Sequence, residues 1–169
     1  QWFANLNKSR LFAMYKFGLV CFVLAASVVL KNDAAQLTAS QKSKIYGSVL
    51  SAGMECMRDF PLSLDHIQAF RNKKAPNDEV AKCFTHCLYK KLGLMDDSGK
   101  ISEKTAKAAT KKVFKEGDEM FTKVEELISR CIHVNDAETS DGDKGCDRAK
   151  LAFECFIEHA KELDLDVDL

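Results

Sequence analysis

From Thr38 to Leu163 apolar side chains recur every three or four residues, the spacing of helices that bury one face, and runs of β-branched residues are few. Only Pro61 and Pro76 interrupt this stretch. The pattern predicts an all-α domain of six helices. Thr38 with Gln41 three residues later is a capping box, opening a first helix to Arg58 whose apolar face carries Ile45, Val49, Ala52 and Cys56. Ser63 caps a short second helix to Asn72, and Asn77 caps a third ending at Gly93, with Val80, Cys83, Phe84, Cys87 and Leu88 on one arc. Asp96, Asp97, Ser98 and Gly99 form a turn that lacks the spacing and closing Glu of a calcium loop. Ser102 caps a fourth, lysine-rich helix to Glu116, and Gly117 separates it from a fifth reaching Val134. Asn135 to Gly145 is an acidic loop, and a sixth helix spans Cys146 to Leu163.

The pattern ahead of this domain is different. Lys16 precedes an uncharged run, Phe17 to Leu30, then Lys31 and the small residues Ala34 and Ala35, which is the layout of a secretory signal. As a helix the apolar run rises only about 21 Å, against roughly 30 Å of hydrocarbon in a bilayer, which argues against an anchor. The chain is therefore divided into a leader or fragment scar at 1–13, a signal peptide at 14–35 and a secreted, extracellular domain at 36–169 with no membrane insertion after cleavage. Cleavage removes four basic side chains and one acidic one, taking the net charge from 0 to −3. A mildly acidic domain is unsuited to nucleic acid, and the lysines between Lys100 and Lys115 read as a solvated helix face.

Of seven cysteines, Cys21 falls in the signal segment, leaving Cys56, Cys83, Cys87, Cys131, Cys146 and Cys155. An even set in a secreted domain reads as a disulfide framework. Cys83 and Cys87 are neighbours on one helix face with Cβ atoms about 5 to 6 Å apart, against about 3.8 Å across a disulfide, so they take different partners. Cys146 and Cys155 lie on opposite sides of one helix, about 13 Å apart along its axis, and cannot pair. Ten of the fifteen connectivities survive.

Other chemistry is excluded or unsupported. A zinc site needs two close Cys/His pairs, and only Cys83 and Cys87 are close. By helical phase His86 is solvent-facing, His133 and His159 fall on polar faces, and His66 has no evident partner. There is no catalytic triad order, zinc-protease motif or phosphate loop, so no enzyme, metal or cofactor is expected.

One Cys-x3-Cys on a mid-chain helix, a long gap, and a Cys-x8-Cys pair near the C-terminus behind a signal segment resemble the insect odorant-binding proteins of the general and pheromone-binding type. The resemblance spans residues 36–169, with the 43-residue gap after Cys87 and the 14-residue gap before Cys146 at the long end of the pattern. It implies a six-helix, disulfide-stapled bundle around an apolar cavity, with Cys56 bonded to Cys87, Cys83 to Cys146 and Cys131 to Cys155. On that basis the candidate ligand contacts are Ile45 and Val49 of the first helix, Phe84 and Leu88 of the third, and Val113 and Phe114 late in the fourth. The fifth adds Phe121, Val124 and Ile128, and the sixth Phe153, Phe156 and Ile157, with Cys155 projecting from its opposite side. Tyr46, Tyr89, Thr122 and Ser129 are unranked candidates for a polar contact. The tail Leu163 to Leu169 has the period of an extended strand, and Leu165 and Val167 on its aliphatic side are candidate contacts of a lid.

The implied function is a secreted carrier that takes small, volatile, apolar molecules through aqueous fluid to an olfactory receptor, as a monomer or homodimer. The alternatives are a secreted interaction or defence protein with a solid interior, and a general lipophile carrier outside olfaction.

Overall fold

A computed structural model of the chain describes residues 37–165. The leader and signal segments, Cys21, and the tail from 166 onward with Val167 lie outside the described residues. Six α-helices follow one another: α1 (Ala39–Asp59), α2 (Leu64–Arg71), α3 (Glu79–Lys91), α4 (Glu103–Thr110), α5 (Glu119–Cys131) and α6 (Cys146–Glu162). The fold is all-α; an isolated antiparallel bridge joins Met95 to Ile101 across the Asp96–Gly99 turn.

The helix starts follow from their caps. The Thr38 hydroxyl accepts the Gln41 N–H at 3.2 Å, and the Gln41 side chain accepts the Thr38 N–H at 2.8 Å. Ser63 caps α2 through the His66 N–H, and His66 Nδ1 accepts the Ser63 N–H at 3.3 Å. His66 Nε2 lies 2.9 Å from Asp78 Oδ2, so this residue is partnered on both nitrogens, contrary to expectation. The α3 cap is Asp78 rather than Asn77: one carboxylate oxygen accepts the Ala81 N–H at 3.0 Å while the other faces His66.

Two predicted boundaries are corrected. The fourth helix stops at Thr110, short of Glu116. There the amides of Lys112 and Val113 bond to the carbonyls three residues back, a tightening that turns the chain and buries Phe114. The tail does not continue α6 as a strand through Leu165. The Leu165 N–H donates to the Ala160 carbonyl at 2.8 Å, Asp164 adopts φ +52°, and Leu165 is folded inward and buried. Unpaired carbonyls at a helix end capture the amides that follow, and this overrides a local extended period.

The helices α3 and α6 form the central pair; α1 packs on α3, α5 on α6, and α4 on α5. Cys56–Cys87 ties α1 to α3, Cys83–Cys146 ties α3 to α6, and Cys131–Cys155 ties α5 to α6. So α3 is held to two other helices and α6 is fastened at its start and in its second half, with each bond contributing about 2 to 4 kcal/mol. The packed core joins Tyr89, Met95, Ile101, Ala106, Ile128 and Val134 to Ala149, Ala152 and Cys155 of α6. Cys155 thus shares the core side with Ala152 rather than opposing it, because residues three apart on a helix lie on one face.

Asn135 fastens the Met95–Ile101 hairpin to the end of α5, donating to the Ile101 carbonyl at 2.9 Å and accepting its N–H at 2.7 Å. The residue just ahead of α6 is Gly145, which has no side chain to cap with; Asp141 substitutes, accepting the Cys146 and Asp147 N–H groups at 2.8 and 3.0 Å.

Candidate ligand-binding site

Aromatic rings line the junction of α2, α3 and α6. Phe70 of α2 meets Phe84 of α3 at 6.3 Å between ring centroids and Phe153 of α6, edge to face, at 5.5 Å. Further along both helices, Tyr89 and Phe156 meet edge to face at 5.7 Å. Edge-to-face pairs are favoured by the ring quadrupole. Phe84 and Tyr89 are buried, whereas Phe70, Phe153 and Phe156 are only half-buried. Three half-covered phenylalanines give an apolar surface that the protein itself does not fully cover.

The candidate contacts divide accordingly. Phe84, Phe114, Phe121, Ile128 and Leu165 are buried, while Ile45, Val49, Leu88, Val113, Val124, Phe153, Phe156 and Ile157 are half-buried. Ile128 lies inside the packed core, and the ammonium of Lys107 sits over the Phe121 ring at 5.7 Å from its centroid. Phe84 and Phe153 are brought to one place, and the ring between them, Phe70, is absent from the contacts expected from the sequence. Ile67 and Phe70, three apart on the second helix, are the apolar pair that points to it.

Away from these rings a groove of about 530 Å³ opens between α6 and the Ile132–Asp136 turn. Its floor includes Val134, Leu151 and Cys155, but Asp136, Glu158 and His159 also line it, and none of the candidate contacts does. Such a charged rim suits an apolar guest less well than the aromatic junction does.

No free thiolate is left for a metal at the two Cys-containing clusters. Cys131 and Cys155 beside His159, and Cys83 and Cys146 beside Glu79, are disulfide-bonded. His86 departs from expectation: it is half-buried, its Nε2 is enclosed, and a Cβ placed on Gly145 would lie 3.0 Å from that nitrogen. Burial lowers its pKa, with Lys90 adding to the effect. Helical phase does set His86 off the apolar arc, but the 135–145 loop folds back over that side.

Next to the Cys83–Cys146 bond, Lys82 Nζ lies 2.5 Å from Asp147 Oδ1, and Asp147 also accepts from the Ser140 N–H and hydroxyl. The lysine contact, followed by the serine hydroxyl, holds the Asp147 carboxyl down at about 2. This cluster braces the α3–α6 junction from outside. No helix among the described residues is long and apolar enough to cross a membrane.

The sequence profile of the PBP/GOBP family matches residues 38–159. The chain is 27% identical to general odorant-binding protein 19d of Drosophila melanogaster over 114 residues, which is 68% of this chain and 73% of that protein. Its fold resembles the odorant-binding protein dmelOBP28a of Drosophila melanogaster, with a TM-score of 0.56 and 21% identity, covering 75% of this chain and 99% of that one. It also resembles a pheromone-binding protein of the cockroach Leucophaea maderae, solved in complex with the fluorescent reporter ANS, with a TM-score of 0.52 and 21% identity over 72% of this chain and 96% of that one.

Proposed function

This chain belongs to the PBP/GOBP family, and on that premise we propose that it is a secreted carrier of small apolar molecules of the odorant or pheromone class. In this reading residues 14–35 direct export and the domain from 36 carries its ligand through extracellular fluid to a receptor. The observation that carries the proposal is the half-covered aromatic junction of Phe70, Phe153 and Phe156, held in place by cross-linked helices. A monomeric fold normally closes such surface against itself; a carrier keeps it for a guest.

The magnitudes are consistent with reversible carriage. A guest burying about 300 Å² of apolar area gains roughly 7.5 kcal/mol, and it also gains packing contacts that partly offset an association cost of about 4 kcal/mol or more. The balance, between about 3.5 and 7.5 kcal/mol, corresponds to dissociation constants from millimolar to low micromolar, weak enough to release. No step of bond making or breaking enters, and no residue is assigned a catalytic role.

The test uses ANS, the reporter held by the cockroach protein. Its fluorescence should rise on mixing with this chain and fall again when volatile alcohols, esters or aldehydes are added. A chain that leaves ANS dark and shows no displacement has a solid interior, and the carrier reading fails.

A further inference from the structure

The helix α1 carries two apolar rows. Ile45, Val49, Ala52 and Cys56 form the inward one, with Ala52 and Cys56 buried, Ile45 and Val49 half-buried, and α3 packed against the helix. Tyr46, Leu50, Met54 and Met57 form the other, and they are 42%, 65%, 63% and 37% exposed. At about 100° per residue these four fall within an arc of about 80°, roughly a third of a turn away from the inward row. A helix in a folded domain normally turns one apolar stripe to the core and polar residues outward, so a second row left in water marks an interaction surface. At roughly 200 Å² for a side chain of this size, the row exposes about 400 Å² of apolar area. Gly47 lies beside it in mid-helix, and a Cβ placed there would meet nothing within 4 Å, so the backbone is open to close approach.

We propose that this row is a docking surface for a second copy of the chain, the two α1 helices packing antiparallel about a two-fold axis near Leu50. An interface of standard size buries about 800 Å² per partner, a little over half of it apolar, and the row supplies about that apolar share. A two-fold axis makes the contact self-complementary, setting Tyr46 of one copy beside Met54 of the other and Leu50 beside its own counterpart. The charges suit the same arrangement. The first half of α1 carries Lys42 and Lys44 and no acid, whereas Glu55 and Asp59 lie in the second half with Arg58. Antiparallel helices set each basic half against the half that holds both acids, and parallel helices would set like against like. A lipid surface favours lysine and arginine beside the apolar face, and Glu55 and Asp59 tell against it. The pairing does not rest on the carrier reading.

Sedimentation equilibrium of the oxidised chain, from about 1 to about 500 μM, tests the pairing. A dimer should form with a dissociation constant below about 100 μM. Leu50→Glu should weaken it at least about 30-fold, because the two-fold axis brings the two introduced carboxylates together, and Met54→Glu should weaken it about 10-fold. Leu50 and Met54 are exposed, so both variants should unfold thermally as the intact chain does, which verifies that the fold is retained. Lys44 and Glu55 stand about 16 Å apart along one helix, too far for a zero-length carbodiimide link within a chain, so that link should form only between antiparallel copies. A chain that stays monomeric throughout, a dimer that Leu50→Glu leaves intact, or a dimer without the Lys44–Glu55 link overturns the assignment. So does a monomer that sediments instead with phosphatidylcholine vesicles, which gives the row to a lipid surface.

Discussion

Lys82 and Asp147 meet at 2.5 Å directly beside the Cys83–Cys146 bond, with side chains only 14% and 18% exposed, so the covalent and ionic links between α3 and α6 occupy the same spot. The Asp147 carboxyl is held at about 2, below its ordinary value of 3.8. A carboxyl depressed on folding binds protons more readily in the unfolded chain, so its contribution is complete above about pH 4 and disappears as the pH falls through about 2. Asp147→Asn should therefore lower stability by about 1 to 2 kcal/mol at neutral pH, with the difference from the intact protein shrinking between about pH 4 and pH 2. Denaturant unfolding with the disulfides intact measures it; a difference independent of pH would mean that the ion pair does not stabilise the junction.

Gly99 and Gly145 touch backbone to backbone. A Cβ on Gly145 would lie 2.6 Å from Gly99 Cα and 3.0 Å from His86 Nε2, and Gly145 has φ +77°. In the middle of α1, a Cβ on Gly47 would meet nothing within 4 Å. Gly145→Ala should cost at least about 2 kcal/mol, whereas Gly47→Ala should stabilise by about 0.5 to 1 kcal/mol through helix propensity. Thermal melts of the two variants should shift in opposite directions.

The bond between Cys83 and Cys146 spans 63 residues, against 31 and 24 for the other two. Loop-closure entropy assigns it about 4 kcal/mol. Replacing both cysteines with alanine should cost that order of stability and leave two disulfides; a loss under about 1 kcal/mol would show that the α3–α6 junction holds without it.

Packing and lining separate at Phe121 and Phe153. Phe121 is 2% exposed, whereas Phe153 is half-buried at the aromatic junction. Phe121→Ala should cost about 3 to 5 kcal/mol and change ligand affinity little once folded; Phe153→Ala should cost under about 2 kcal/mol and weaken ligand binding about 10-fold. The reverse pattern would move the site away from the junction.

Much of this is legible in the order of residues alone, and the reasons are local. Thr38 with Gln41 and Ser63 cap their helices because capping needs only residues three apart. The three-and-four spacing of apolar residues marks the helices, and the cysteine spacing marks the family, whose pairing matches the observed bonds. The features that escape such a reading depend on distant parts of the chain. His66 finds Asp78 across a connection, and His86 is covered by a loop more than fifty residues away in sequence. Leu165 is turned inward by the carbonyls at the end of α6. Phe70 joins Phe84 to Phe153 only because α2 lies over the α3–α6 pair. Periodicity identifies which face of a helix is buried; it does not separate a packed phenylalanine such as Phe121 from one left half-covered such as Phe153.

Calorimetric titration of the oxidised chain with a long-chain volatile ketone, repeated at several temperatures, tests the carrier function most directly. Carriage in an apolar site predicts one ligand per chain, a dissociation constant between millimolar and low micromolar, and a negative heat-capacity change from the apolar area taken out of water. An absence of binding, or binding without a heat-capacity change, would contradict it.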